Sequence, residues 1–318
     1  MCLKHESNIS NPCSLAGWDP LTPYLAATHA VIAICSILGN SLVILAVVKY
    51  ESLRTSTNTF VLGLAVADLM VGLNIPFYVS FYFDVSYICE PVACLCRYFF
   101  ALFVTISSLL LLVGVAADRY VSIIYPLRYP TIMTTKVAAV IVVGIFIYVV
   151  VLSTMPLGMR QVQKNLGGMS ECDLYYVVKP WYALSIVGVH VSVTIAVTTL
   201  LYCRIFWVAW RQNRAIAITL DADLIRREVK IALLMATILG VTLFCHVPYL
   251  VVIMMRYFVE DSSQIDLSEA KKLTVVLYMG KSAVNPVIYG WKNTEFRDSF
   301  DRLLQRSSTR RSMSMNSC

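Results

Sequence analysis

An all-α membrane protein, a bundle of seven transmembrane helices, is the fold class the sequence predicts, and three observations predict it. The 318 residues are 58% hydrophobic and only 14% charged, whereas soluble domains carry about 45–50% apolar and about 25% charged residues. Mean hydropathy is +0.71. Apolar runs long enough to cross a bilayer, about 20 residues each, occur at 24–48, 59–83, 95–117, 137–157, 181–209, 229–255 and 272–290.

The elements follow in order. Residues 1–23 are polar and contain no apolar h-region, so the first span is expected to act as the insertion signal. The third run (LFVTISSLLLLVGVAA) and the fourth (VAAVIVVGIFIYVVVL) carry no charge. With the N-terminus outside, 17 Lys and Arg fall on cytoplasmic segments and eight on the opposite side, Lys281 lying within a span. The excess of positive charge inside places the N-terminus outside and the C-terminus in the cytoplasm. The sequon Asn8-Ile9-Ser10 then faces the lumenal side, where it is a glycosylation acceptor. Cys35, Cys203 and Cys245 fall within spans, and Cys2, Cys13, Cys89, Cys94, Cys96 and Cys172 on the oxidising side, where disulfides persist. Their connectivity is not fixed by spacing. No repeat or linker divides residues 24–290, which read as one membrane domain.

Several function classes fall away. The net charge of +7 is scattered along the membrane-flanking segments rather than massed on one face, which argues against nucleic acid. No Walker-A loop, HExxH, GxSxG or metal-spaced Cys/His cluster occurs, so neither catalysis, a metal nor a cofactor is expected. Ionisable residues inside spans cost about 2.5–3.5 kcal/mol each on insertion scales and so mark function or pairing. The candidates are Asp68 in span two, Asp118 and Arg119 at the cytoplasmic end of span three, and Lys281 in span seven. Pro76, Pro248 and Pro286 interrupt spans two, six and seven, each removing a backbone hydrogen bond.

A set of motifs occurs in a fixed order. It comprises Asn40 in GNSLVILAV, Asp68 in LAVADL, Cys94, and Asp118-Arg119-Tyr120 in ADRYVSIIYPLRY. Cys245 with Pro248 and then Asn285-Pro286-Val287-Ile288-Tyr289 complete it. In this order the chain resembles the rhodopsin-like G protein-coupled receptors over about residues 24 to 304. The run YCRIFWVAWRQ and the segment NPVIYGWKNTEFRDSF are most similar to adenosine receptors, with melanocortin receptors next.

The resemblance implies a plasma-membrane, multi-pass receptor that binds an extracellular small-molecule ligand and activates a heterotrimeric G protein. Receptor kinase, arrestin and membrane lipid are further partners. It implies a disulfide between Cys94 and Cys172, and a short amphipathic membrane-surface helix over 291–304. There Phe296, Phe300 and Leu304 recur at four-residue spacing as an apolar stripe. Residues 305–318, serines and a threonine among arginines, are expected to be a disordered, phosphorylatable tail. Activation and coupling fall by the resemblance to Asp118, Arg119, Tyr120, Tyr202, Glu228, Asn285, Pro286 and Tyr289, with Arg119 and Glu228 latching spans three and six at rest. The buried polar network comprises Asn40, Asp68, Ser108, His246, Lys281 and Ser282. Family members hold a sodium ion at this aspartate; the lysine is expected to take its place as a tethered cation, paired with Asp68. The ligand pocket falls to Ala101, Leu102, Thr105, His190, His246, Tyr249, Ile253, Val275 and Met279.

The chain also departs from the pattern. Phe146, Thr194, Thr242, His246 and Lys281 replace, in turn, tryptophan, proline, phenylalanine, tryptophan and a small polar residue, so the switch region is rebuilt. Ala101 stands where amine receptors carry an aspartate, which leaves a cationic amine without a counter-ion. Lys281 invites an opsin reading, but opsin lysines lie six residues before the asparagine of NPxxY, where this chain has Met279. That two-residue difference turns the side chain by about 200°. A seven-span transporter, the alternative from another class, would show repeated halves, and none is visible.

Overall fold

The computed structural model describes residues 20–84, 90–155, 172, 180–215, 222–258 and 267–315. Among them no strand occurs, and the chain runs through eight long helices. They are α1 (Thr22–Lys49), α2 (Ser56–Phe83), α3 (Pro91–Ile124), α4 (Thr135–Thr154), α5 (Val189–Ala215), α6 (Ala222–Phe258), α7 (Ser268–Lys292) and α8 (Thr294–Met315). Short helical turns at Glu51–Leu53, Tyr129–Ile132 and Pro180–Tyr182 connect them, and a wider π-type stretch, Ala183–Gly188, leads into α5.

Six of these helices are long and apolar enough to cross a membrane by length and composition. The seventh, α7, is less apolar and lies outside that group; Lys281, Asn285 and Pro286 fall within its central stretch. It packs against α1, α2 and α6. A span enclosed by neighbours tolerates charge because its ionisable groups face protein rather than lipid. Helix α4 shows the opposite extreme: Val140, Ile147 and Val151 point outward, while Ala138, Val142, Val149 and Leu152 are buried. An apolar surface outside as well as inside is what a membrane span presents.

The helices overrun the expected spans because polar caps satisfy amides that would otherwise be left unpaired. Thr55 accepts from the amide of Asn58 at 3.2 Å, and Thr134 from that of Val137 at 3.3 Å. Asn293 separates α7 from α8, its side chain accepting from the amides of Glu295 and Phe296 at 3.0 and 3.3 Å. Helix α8 then continues past residue 304 to Met315, so part of the segment expected to be disordered is helical. No glycine or proline interrupts it, and propagation costs little once a helix has started. Phe296 and Phe300 are buried in α8, while Leu304 is exposed.

Small residues set how closely the helices approach. A Cβ on Gly39 would lie 2.8 Å from the ring of Pro286, and one on Gly114 would lie 2.6 Å from the ring of Phe60. Only glycine leaves room for these contacts, which draw α7 onto α1 and α3 onto α2. Pro76, Pro248 and Pro286 all sit inside continuous helices.

Candidate functional site: a cleft, a buried polar cluster and an arginine lock

Three polar layers are stacked between the ends of the bundle. The first lies at the end marked by the disulfide between Cys94 and Cys172. The hydroxyl of Tyr98 donates to the carbonyl of Cys172 at 3.1 Å, tying that residue to α3. Beside it a narrow cleft opens between α2, α3, α6 and α7. Ala101, Tyr249, Val275 and Met279, four of the residues assigned to a ligand pocket from the sequence, line it. Leu102 and Ile253 belong instead to the apolar cluster packed behind α3 and α6. Thr105 is one layer deeper, its hydroxyl 2.9 Å from that of Tyr278. His190 points elsewhere, with Nε2 at 2.5 Å from the hydroxyl of Tyr148 on α4. The π-type turns just before α5 change the angular phase of the residues that follow, which a uniform 3.6-residue repeat does not anticipate.

The cleft also holds residues that sequence reasoning did not single out. Asn74 and Tyr78 come from α2, Arg97 and Tyr98 from α3, and Lys271 and Tyr278 from α7. The guanidinium of Arg97 lies over the rings of Tyr78 and Phe81, 4.3 and 4.7 Å from their centroids. Tyr249 and Tyr278 stack at 4.9 Å. A cation three residues after Cys94, nearly two turns inside the helix end, was the signal available for Arg97.

Beneath the cleft is the buried cluster. Lys281 and Asp68 are 1% and 0% exposed, with Nζ 3.8 Å from Oδ1. The ammonium donates to Ser108 Oγ at 3.0 Å. Asp68 accepts from Ser282 Oγ at 2.8 Å and from Asn285 Nδ2 at 2.6 Å. Asn40 donates to the carbonyls of Ser36 and Ser282, both at 2.9 Å, and so links α1 to α7. His246 stands edge-on to Tyr278 at 5.0 Å, both of its ring nitrogens buried with no hydrogen-bond partner among the described residues. The six residues expected to form a buried polar network are thus all buried in this part of the bundle, five of them joined by hydrogen bonds or the ion pair and His246 beside them. Met279 faces the cleft, whereas Lys281 faces this cluster.

The third layer closes the opposite end. Asp118 and Arg119 are 0% and 3% exposed and meet at 2.7 Å. Asp118 also accepts from Ser56 at 3.0 Å, Thr57 at 2.6 Å and the hydroxyl of Tyr129 at 3.0 Å. Arg119 donates to Thr57 and, at 3.0 Å, to Tyr129. Burial pushes the Tyr129 hydroxyl above its ordinary pKa, so it remains a neutral donor at physiological pH. Ser56, Thr57 and Tyr129 were not legible as partners in the sequence. Tyr202 is buried against Phe206, and Tyr289 stacks on Phe296 at 5.5 Å. Tyr120 packs, half-buried, on the core of this end. Pro286 sits against Gly39. Glu228 lies on α6 with its side chain outside the described residues, and Asn8 lies outside them altogether.

Comparison with known proteins gives a consistent picture. Residues 39–289 match the profile of the family described as 7 transmembrane receptor (rhodopsin family). Adenosine receptor A2b of Gallus gallus is 29% identical over 297 residues, covering 87% of this chain and 86% of that protein. Adenosine receptor A2a of Canis lupus familiaris is 30% identical over 316 residues, covering 94% and 75%. Somatostatin receptor type 4 of Rattus norvegicus is 28% identical over 283 residues, covering 87% and 71%.

Proposed function

The chain belongs to the rhodopsin family of seven-transmembrane receptors, and from that premise we propose that it binds a small extracellular ligand in the cleft beside Cys94 and activates a heterotrimeric G protein at the end that carries Arg119. The family consists of multi-pass membrane receptors, not enzymes. The orientation follows the positive charge, with the disulfide end outside and α8 in the cytoplasm of a plasma-membrane receptor.

One observation carries the reading. A single helix, α7, contributes Tyr278 to the cleft, Lys281, Ser282 and Asn285 to the buried cluster, and Tyr289 to the packing against α8. A ligand that moves Tyr278 therefore acts on an element whose next three turns hold the polar cluster and the cytoplasmic contacts. Two-state coupling of this kind needs differential contacts in the two states rather than a continuous wire. At the cytoplasmic end, Arg119 is held by Asp118, Thr57 and Tyr129, and its release into the bundle is the step that exposes a G protein site. The latch to Glu228 is part of the same proposal.

The relatives are named for ligands as different as adenosine and somatostatin, so ligand chemistry is argued from the cleft itself. The test is guanine-nucleotide exchange on purified heterotrimeric G proteins by the full chain in lipid nanodiscs. Exchange above the protein-free rate that disappears in Arg119→Ala, with the variant still folded, is the expected result. Equal exchange by wild type and variant would sink the mechanism.

A further inference from the structure

We propose that the ligand of the outer cleft is a small organic anion, a carboxylate on an aromatic or apolar body, whose charged group is received by Arg97. The proposal deepens the receptor reading and rests on it for its physiological meaning.

Charge is the first argument. Two cations, Arg97 and Lys271, lie on the cleft wall, and no acidic residue does among the described residues. Arg97 forms no ion pair among the described residues. An arginine keeps its proton under all ordinary conditions, so this positive charge is permanent. A cationic ligand would enter the cleft against Arg97 and meet no carboxylate on the wall among the described residues; Ala101 lines it instead. Burying an unpaired charge costs far more than burying a paired one, so the wall selects by sign.

Geometry is the second argument. The guanidinium is a planar fork with five N–H donors. It lies over the rings of Tyr78 and Phe81, with Cζ 4.3 and 4.7 Å from their centroids. These rings, with a side-chain hydrogen bond to Tyr78, hold the group in place, and its remaining N–H groups are the donors offered to the cleft. Those groups match the two oxygens of a carboxylate, and such paired hydrogen bonds are shorter and stronger than neutral ones. The remaining lining supplies the body's partner: Tyr249 and Tyr278 stacked at 4.9 Å, with Val275 and Met279 beside them. An aromatic or aliphatic body against those rings and an anion on Arg97 use both halves of the cleft. The cleft is narrow as it stands, and side chains must part to admit such a body. Tyr278 would then move with it, which links ligand entry to α7.

The test uses matched probes on the full chain in lipid nanodiscs, read by thermal stability. Three bodies each carry an acid, an amide and an amine: indole-3-acetate, indole-3-acetamide and tryptamine; 4-hydroxyphenylacetate with its amide and tyramine; hexanoate with hexanamide and hexylamine. We expect stabilisation by at least one acid and by neither its amide nor its amine, weakened by added salt. Arg97→Gln should weaken acid binding by about tenfold to a hundredfold, the range for losing a hydrogen bond to a charged group, and Arg97→Lys should retain part of it. Stabilisation by an amine or amide equal to that of its acid overturns the proposal. So does the absence of any effect from all three acids, or acid binding unchanged in a folded Arg97→Gln protein. If the glutamine variant does not fold, the Arg97→Lys affinity and the salt dependence decide the question in its place: unchanged affinity together with no salt effect overturns the proposal. Because the readout is binding without G protein, failure here is distinguishable from failure of nucleotide exchange, which judges the receptor reading.

Discussion

The pair formed by Lys281 and Asp68 gives the sharpest stability prediction. Replacing Lys281 with methionine leaves a carboxylate that is 0% exposed with Ser282 and Asn285 as its donors, at 2.8 and 2.6 Å. Replacing Asp68 with asparagine leaves an ammonium that is 1% exposed and still donates to Ser108, at 3.0 Å. At the observed separation of 3.8 Å, two unit charges attract by about 4 kcal/mol with an effective dielectric constant of about 20. Breaking a buried pair from one side costs about 3–5 kcal/mol, because one charge is stranded. The retained donors place Lys281→Met at the lower end of that range and Asp68→Asn at the upper end. The double variant strands no charge and should recover about 1–3 kcal/mol relative to the sum of the singles. The assay is chemical or thermal unfolding of the purified chain in nanodiscs, run as a double-mutant cycle at one protein concentration. Additive losses would refute the pairing. A second readout follows from the position of the ammonium. Sodium should leave agonist affinity unchanged in the wild-type protein, and Lys281→Ser should introduce sodium dependence. Ordinary sodium sensitivity of the wild type would count equally against a tethered cation at Asp68.

Other expectations concern packing and covalent structure. Gly114→Ala places a Cβ 2.6 Å from the ring of Phe60 and should destabilise by about 1–3 kcal/mol through overpacking; Phe60→Leu in the same chain should restore part of the loss in a melting experiment. Tyr129→Phe removes one hydroxyl shared by Asp118 and Arg119, at 3.0 Å from each, and should raise ligand-independent nucleotide exchange while leaving probe binding at the outer cleft unchanged. Cys172→Ser opens a loop of 78 residues and should cost about 4–5 kcal/mol on the loop-entropy account, measured as a lower midpoint than the oxidised wild type and no further loss on adding reductant.

Much of the molecule was determined by the sequence alone. Apolar runs of bilayer length, uncharged over LFVTISSLLLLVGVAA and VAAVIVVGIFIYVVVL, dictate helices, because in lipid every backbone amide must be satisfied within its own segment. The caps at Thr55, Thr134 and Asn293 are equally local, each bonding an amide two or three residues on. The ordered motifs located Asp68, Asp118, Arg119 and Asn285, since an ionisable or amide group at membrane depth stands out against its neighbours. What hydropathy and periodicity leave open is the rotation of each helix about its axis and the partner across the gap. Lys281 meets Ser108 across 173 positions and Asn285 meets Asp68 across 217; no local rule reaches that far. His190 turned to Tyr148 rather than the cleft, following a π-type segment that leaves no clear trace in composition. Arg97 reads in the sequence as one more cation near a membrane boundary. Only the packing of α2 against α3, which lays Tyr78 and Phe81 on its guanidinium, makes it part of a cleft. Local propensity and burial are properties of a segment, whereas a site is a property of the space between segments, and that space is set by side chains chosen on several helices at once.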